Sequence, residues 1–499
     1  MTAAASRADW EARAAALDFR HQAFIGGRAV PAASGETFDC LSPATGRLLT
    51  RVAACGPEDV DRAVRSARQA FEAGVWRDAA PKHRKKVLKR FAELIRANRD
   101  ELALLETLDM GKPIRDSLAI DVQSTANCIE YYGEACDKLY DEIAPTAPST
   151  MALVLREPLG VIGAVVPWNF PMIMAAWKLG PALAAGNSVV LKPAEQSPLT
   201  ALRLAELAVE AGLPEGVLNV VPGLGETAGR ALGLHMDVDM VAFTGSTEVG
   251  KYFLRYAGES NMKRVALECG GKTPHIVMPD CPDMEAAAKA AAFGIFFNQG
   301  EMCTAGSRLL VHEAIHDDFL DLVIGHARTM QPGDPLDPAT SMGAIVDERQ
   351  MERVLGYVEA GRAEGAELRF GGRRARAESG GWYVEPTVFD RVSPEMTIAR
   401  EEIFGPVLST LTFRDAAEAL RIANGTIYGL AAAIWTTDIN TAMKAARAIR
   451  SGMVWVNCFD ADDITVPFGG FKQSGFGRDK SLHAVEKYTD LKTVWIELR

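Results

Sequence analysis

Short β-branched runs, each followed by a helical stretch and recurring about every 25 residues, constrain this chain more than any other feature. The runs are residues 161–166, 188–191, 217–221, 240–243 and 264–268. A parallel strand cannot reach its neighbour through a tight turn. It needs a crossover of a dozen or more residues, usually a helix. Runs at this spacing therefore read as βαβ units stacked into one parallel sheet, an α/β fold of the nucleotide-binding kind.

Around that sheet the chain reads as several units. Helical stretches are expected near 57–73 and 85–108, and one helix begins at Ser197 as N-cap with Pro198 in its first turn and ends before Gly212 and Pro214. Its apolar stripe is Leu199, Leu202, Ala205 and Val209. A second α/β segment spans 274–481, with helices near 284–298 and 314–330 and a strand at 453–456. The proline-bearing stretch 141–158 and the alternating stretch 492–498 read as edge strands that pair with each other or across subunits. The organisation expected is a cofactor domain from 1–141 and 159–273, oligomerisation strands at 142–158 and 482–499, and a catalytic domain at 274–481.

Charge and cysteine usage narrow the function. With 54 Lys and Arg against 65 Asp and Glu, the net charge is −11. Such a chain repels polyanions, so nucleic acid and anionic membranes are poor partners and a small molecule is the better expectation. The eight cysteines show no C-x-x-C pair, which argues against a disulfide framework or a zinc site and suits a reducing cytoplasm. No metal is expected. Residues 159–177 are apolar except for Asn169, but Pro167 and Pro171 flank it, so the stretch reads as strand, turn and helix. The first twenty residues hold no apolar core of a secretory signal.

Four segments carry candidate chemistry. Cys303 lies in Asn298-Gln299-Gly300-Glu301-Met302-Cys303-Thr304, a loop between an alanine-rich helix and a strand, where a nucleophile can be exposed on a rigid frame. Taken alone, one cysteine among eight is more often a small buried hydrophobe. Glu268 ends a strand beside Gly270-Gly271, at the sheet edge where ligands bind, although a lone carboxylate there is more often a surface group. Asn169, between Trp168 and Phe170, either donates to an oxyanion or closes its own turn. Phe243-Thr244-Gly245-Ser246 opens a helix after a strand, a place for phosphate, but it departs from G-x-G-x-x-G and is a weak signal by itself.

Together, PWNFP around Asn169, KPAEQSP from Lys192, FTGS from Phe243, LECGGK around Glu268, NQGEMCTAGSR around Cys303, EEIFGP from Glu401 and PFGGFKQSGFGRD from Pro467 resemble the NAD(P)-dependent aldehyde dehydrogenase superfamily over essentially the whole chain. The resemblance implies a Rossmann-like cofactor domain, an α/β catalytic domain and a small β oligomerisation domain, assembled as a homodimer or homotetramer. It makes Cys303 the nucleophile, Glu268 the general base, and Asn169 with the Cys303 N–H the oxyanion donors. It places the dinucleotide against Pro167, Trp168, Lys192, Glu195, Phe243, Gly245, Ser246, Gly250, Glu402 and Phe404. Because Glu195 stands where the adenosine ribose is contacted, a carboxylate there favours NAD over NADP.

Within the superfamily, residues 105–113 and 477–484 resemble bacterial dehydrogenases of ω-amino and ω-guanidino aldehydes, those of 4-guanidinobutyraldehyde and γ-glutamyl-γ-aminobutyraldehyde. Asp460, Asp462 and Asp463 crowd the loop before Pro467, which in this family borders the substrate entrance, and carboxylates there would attract a cationic tail. The resemblance puts Asp121 on a helix lining the same entrance, with Phe170, Trp177 and Phe468 as walls hospitable to a cation. The alternative is a broad aliphatic or aromatic aldehyde dehydrogenase with a merely solvated acidic loop.

Overall fold

The computed structural model describes residues 5–499, and two largely parallel sheets organise them. In the first sheet the strand order is Arg28–Val30, Ala23–Ile25, Leu218–Val220, Ser188–Lys192, Val161–Val165, Met240–Gly245, Arg264–Cys269 and Gly475–Phe476. The five strands from Leu218–Val220 to Arg264–Cys269 pair in parallel and are the five runs picked out by sequence. Their residues alternate between two cores. Ile162 and Ala164 pack with Leu88, Phe91 and Leu179, whereas Val161 and Val165 pack with Val60, Val64 and Phe253. Burial on both faces explains why these strands read as continuous apolar runs.

The chain lays down Val161–Val165, moves outward twice, then returns to place Met240–Gly245 on its other side. That reversal is a topological switch point, beyond whose strand ends ligands bind in open α/β sheets. The second sheet runs Glu367–Phe370, Thr387–Asp390, Val407–Phe413, Arg308–His312, Pro274–Val277, Ala431–Trp435 and Met453–Val456, antiparallel only at its first pair. Gly475–Phe476 crosses back to pair antiparallel with Leu267 and Glu268, joining the later half of the chain to the first sheet. The two edge strands pair with each other: Thr489–Glu497 runs antiparallel to Thr150–Pro158, and Glu142–Ala144 adds a third strand. No helix among the described residues is long and apolar enough to cross a membrane.

Local details depart from expectation. The 85–108 stretch is two helices, Pro81–Ala97 and Arg99–Met110, meeting at Asn98, whose side-chain amide donates back to the Leu94 carbonyl. Ser197 does not cap the following helix, because its hydroxyl donates to the Trp168 carbonyl. The helix is Leu199–Glu210, and its first N–H is taken by the buried Asp109 at 3.0 Å. Thr200, outside the apolar stripe read from sequence, is fully buried as well. The helix is packed from several sides, so one apolar stripe underestimates its contacts.

Candidate active site

The loop carrying Cys303 is braced along its length. The helix Met284–Phe296 gives way to a tight turn, Phe297–Gly300, in which Asn298 and Gln299 both adopt left-handed backbone (φ 48° and 58°). That conformation is costly for residues with side chains and persists where the surroundings enforce it. The bracing is visible: Gln299 Oε1 accepts from the Gly343 N–H at 2.8 Å, and Glu301 Oε1 from Val346 at 3.1 Å. Gly300 (φ +73°) must lack a side chain, since a Cβ would lie 2.3 Å from the Gly405 carbonyl carbon.

The Val161–Val165 strand feeds Asn169 into the same place, with Pro171 opening the next helix. Asn169 is buried, and its Nδ2 donates to the Glu301 carbonyl at 2.8 Å. Asn298 Nδ2 donates in turn to the Asn169 carbonyl at 3.1 Å. One Asn169 N–H is thereby engaged, and the other remains. The Cys303 N–H donates to nothing among the described residues. Two free donors thus belong to residues joined through one hydrogen-bonded loop.

Glu268 arrives from Arg264–Cys269, whose continuation brings Gly271 so close that a Cβ would lie 2.5 Å from the Cys303 carbonyl oxygen. The carboxylate is buried, and neither oxygen has a hydrogen-bond partner among the described residues. Burial pushes it well above the ordinary range and the negative Asp479 adds to this, while Lys178, Lys487 and Arg478 oppose it. The Cys303 thiol is also pushed up, by burial first and then by Glu402, Glu268 and Asp460.

Behind Glu268 lies a charge cluster that sequence reading missed. Asp479 is fully buried and ion-paired through one oxygen with Lys178 and through the other with Lys487. Burial alone would raise the Asp479 carboxyl, but the two ammonium groups outweigh it and hold it below the usual range. The available signal was Lys178, a lone charge in the otherwise apolar helix Pro171–Ala185.

Beyond the switch point, residues suited to a dinucleotide line up on the strand ends. Lys192 Nζ contacts Glu195 Oε2 at 3.1 Å. Ser246 caps the helix Thr247–Glu259, accepting from Val249, so Gly245 and Ser246 stand at a helix N-terminus that favours phosphate. Gly250 serves differently: its N–H bonds the Ser246 carbonyl, and a Cβ would approach Cys269 Sγ to 3.0 Å, so its contribution is close helix–sheet packing. Phe243 is likewise a core residue beneath Gly245, with its ring against Phe253. Trp168, next to Pro167, packs edge-on against Phe404 at 5.2 Å, and Gln350 holds the Phe404 carbonyl at 2.7 Å. Glu402 accepts from the Gly271 N–H at 2.9 Å, and burial raises it to about 7. A Cβ on Gly270 would lie 1.9 Å from Glu402 Oε2, so this approach requires glycine. A helix N-terminus, a lysine–carboxylate pair and a side-chain-free cradle suit a pyrophosphate, a ribose and a flat ring.

A cavity of about 500 Å³ opens onto Cys303. Phe170, Trp177 and Phe468 form walls, and Asp460, Asp462, Asp463 and Lys480 also reach it. Asp121 does not. Its segment makes a wide turn, Ser117–Asp121, that leaves Ile120 and Ser124 on the cavity while Asp121 points inward, fully buried, to accept from Lys112 at 2.6 Å. A buried carboxylate must be paired, and Lys112 is the partner it finds. The aromatic walls are less open to a cation than the sequence suggests. Lys112 Nζ already lies 3.8 Å from the Phe170 ring centre and Lys480 Nζ 5.7 Å from that of Trp177. Asp462 is ion-paired with Lys480, and Asp463 accepts from Thr465 at 2.6 Å.

Known proteins resemble this chain along nearly its whole length. The family model "Aldehyde dehydrogenase family" matches residues 30–494. The chain is 52% identical over 98% of both lengths to the NADP/NAD-dependent aldehyde dehydrogenase PuuC of Escherichia coli. It is 51% identical, over the full length of both, to an aminoacetaldehyde dehydrogenase of Pseudomonas aeruginosa. An indole-3-acetaldehyde dehydrogenase of P. syringae, solved with NAD+ and IAA, superposes with a TM-score of 0.99 at 61% identity, covering 99% of this chain and 100% of that one.

Proposed function

The chain belongs to the aldehyde dehydrogenase family, and from that premise we propose that it oxidises ω-amino or ω-guanidino aldehydes to carboxylic acids with NAD, through Cys303. The observation that carries the mechanism is that Asn169 and the unbonded Glu268 are both tied to the loop of Cys303, which opens on the cavity: Asn169 donates to the Glu301 carbonyl, and the Glu268 strand continues into Gly271 against the Cys303 carbonyl.

Cys303 Sγ attacks the aldehyde carbon as its thiolate, forming a C–S bond and leaving negative charge on oxygen. The free Asn169 N–H and the Cys303 N–H receive that charge, and a donor of this kind contributes about 3–4 kcal/mol to the barrier reduction. Lys192, Glu195, Gly245, Ser246, Glu402 and Phe404 would hold NAD, which would supply the hydride acceptor. Glu268 then takes a proton from water, the hydroxide attacks the Cys303 thioester, and the acid leaves as the thiol reforms. Aldehyde, NAD+ and water become acid, NADH and a proton. Glu195 favours NAD over a 2′-phosphorylated cofactor, although Lys192 at 3.1 Å tempers the repulsion.

The substrate reading rests on three aspartates against one lysine on the cavity wall. A second reading, arylacetaldehydes, is favoured by the aromatic walls and by the two ring faces already occupied by protein ammonium groups. Measuring NADH formation with 4-guanidinobutyraldehyde, butanal and phenylacetaldehyde separates them. A kcat/KM preference above about 10-fold for the guanidino compound over butanal supports the first reading, whereas a preference for phenylacetaldehyde transfers the assignment to the second. In either case Cys303→Ala should lower kcat by at least roughly 10³-fold, and unchanged NADH production in that variant would overturn the mechanism.

The same reading covers organisation and place. Residues 1–141 with 159–273 form the cofactor domain, 274–481 the catalytic domain, and 142–158 with 482–499 the oligomerisation strands. The exposed Leu491, Trp495 and Ile496 on the outer strand of the three-stranded sheet support a homodimer or homotetramer, and the free cysteines support a cytoplasmic location.

A further inference from the structure

Asp460 is held more firmly than its place in an exposed loop suggests. Its backbone is left-handed (φ 54°), as is that of Asn457 (φ 56°). Phe459 is wedged where Gly294 and Gly306 offer no side chain, a Cβ on either coming within 2.6 Å and 3.2 Å of the ring, and it stacks on His275 at 5.2 Å. On the other side, Trp455 Nε1 donates to the Ala461 carbonyl at 2.8 Å. Asn457 is tied to Thr436 by two hydrogen bonds, of 2.9 and 3.0 Å. Among the described residues, the one hydrogen bond to the Asp460 carboxylate is a long one from Thr304 Oγ1, at 3.5 Å to Oδ1. Thr304 directly follows Cys303, so this carboxylate lies within about one residue's reach of the nucleophile, and it faces the cavity. Asp462 and Asp463 are engaged by Lys480 and Thr465.

We propose that Asp460 is the specificity-determining residue for short amino aldehydes, receiving a substrate ammonium two or three bonds from the carbonyl that Cys303 attacks. The assignment rests on the amino-aldehyde reading above and narrows it to short tethers. A long guanidino tail would pass this carboxylate, whereas the amine of 3-aminopropanal stays beside it. The charges facing Asp460 are Asp462, which opposes its ionisation, Lys480, which favours it, and the Cys303 thiol, whose ionisation Asp460 opposes. Burial and Asp462 raise the Asp460 carboxyl to about 7, so its negative charge develops as pH rises through neutrality. An ammonium paired with it also removes one of the negative charges that resist thiolate formation at Cys303.

The test compares kcat/KM for 3-aminopropanal and butanal, molecules of equal heavy-atom count, from pH 6 to 8.5 in the wild type, Asp460→Asn and Asp463→Asn. The expected result is an amino-to-neutral ratio that climbs with pH in the wild type, falls about 10-fold and becomes flat in Asp460→Asn, and shifts less than about 2-fold in Asp463→Asn. A wild-type preference that survives in Asp460→Asn overturns the assignment and leaves the amino-aldehyde reading standing. A wild type that prefers butanal at every pH overturns both.

Discussion

Two carboxylates, the buried Glu268 and the half-buried Asp460, flank the same cysteine, and their surroundings differ. Glu268 is carried on a strand paired on both sides, unbonded, with Lys178, Lys487 and Arg478 offsetting part of the burial effect. Asp460 is carried on a loop, hydrogen-bonded by Thr304, with a second aspartate beside it and one lysine in reach. Both are pushed upward chiefly by burial, so elevation by itself does not distinguish a base from a binding group. The difference lies in what each can touch: Glu268 adjoins the glycine backbone that abuts Cys303, and Asp460 looks into the substrate cavity. A rigid strand suits proton transfer, and a loop on a fixed scaffold suits selection among substrates.

The largest way to break the comparison is Glu268→Gln, which should lower steady-state kcat by about 10²–10⁴-fold and leave an acylated Cys303 detectable by mass spectrometry. A base acts deprotonated, and this one is raised above the ordinary carboxylate range, so wild-type kcat should rise with pH above that range. The rise should vanish in the variant. If Glu268→Gln keeps both its rate and its pH limb, the base lies elsewhere.

Lys178→Met probes the charged backing of Glu268. Removing one cation leaves Asp479 buried with Lys487 alone, a change expected to cost about 3 kcal/mol and visible in thermal denaturation. Since Lys178 lowers the Glu268 carboxyl, its loss should move the kcat–pH limb to higher pH. A lowered melting temperature with an unmoved limb would show that the cluster supports the fold without tuning the base.

The smallest effect should come from Asp462→Asn. Asp462 opposes ionisation of Asp460, and its removal also frees Lys480 to act on that carboxyl. The midpoint of the amino-to-neutral preference should shift toward acid, with a change of about 2- to 5-fold in the ratio at pH 6.5. An unchanged midpoint would separate the two aspartates electrically and sharpen the contrast with the coupled cluster behind Glu268.

Periodicity and composition determined a good deal by themselves. The five parallel strands were legible because a strand buried on both faces must be apolar throughout and its crossovers impose a regular spacing. Cys303, Glu268 and Asn169 stood at turns after strands or helices, where backbone breaks are visible as glycine, proline and amide residues. What sequence could not supply was the direction in which a charged side chain points. Asp121 reads as a cavity carboxylate but a wide helical turn aims it inward to Lys112, while Ser197 reads as a cap and instead bonds Trp168. Lys178 and Asp479 lie 301 positions apart and meet only because the strand Gly475–Phe476 returns to the first sheet. Local pattern decides which face of an element is apolar, whereas the partner of a buried charge is decided by whichever segment the completed fold brings within a few ångströms.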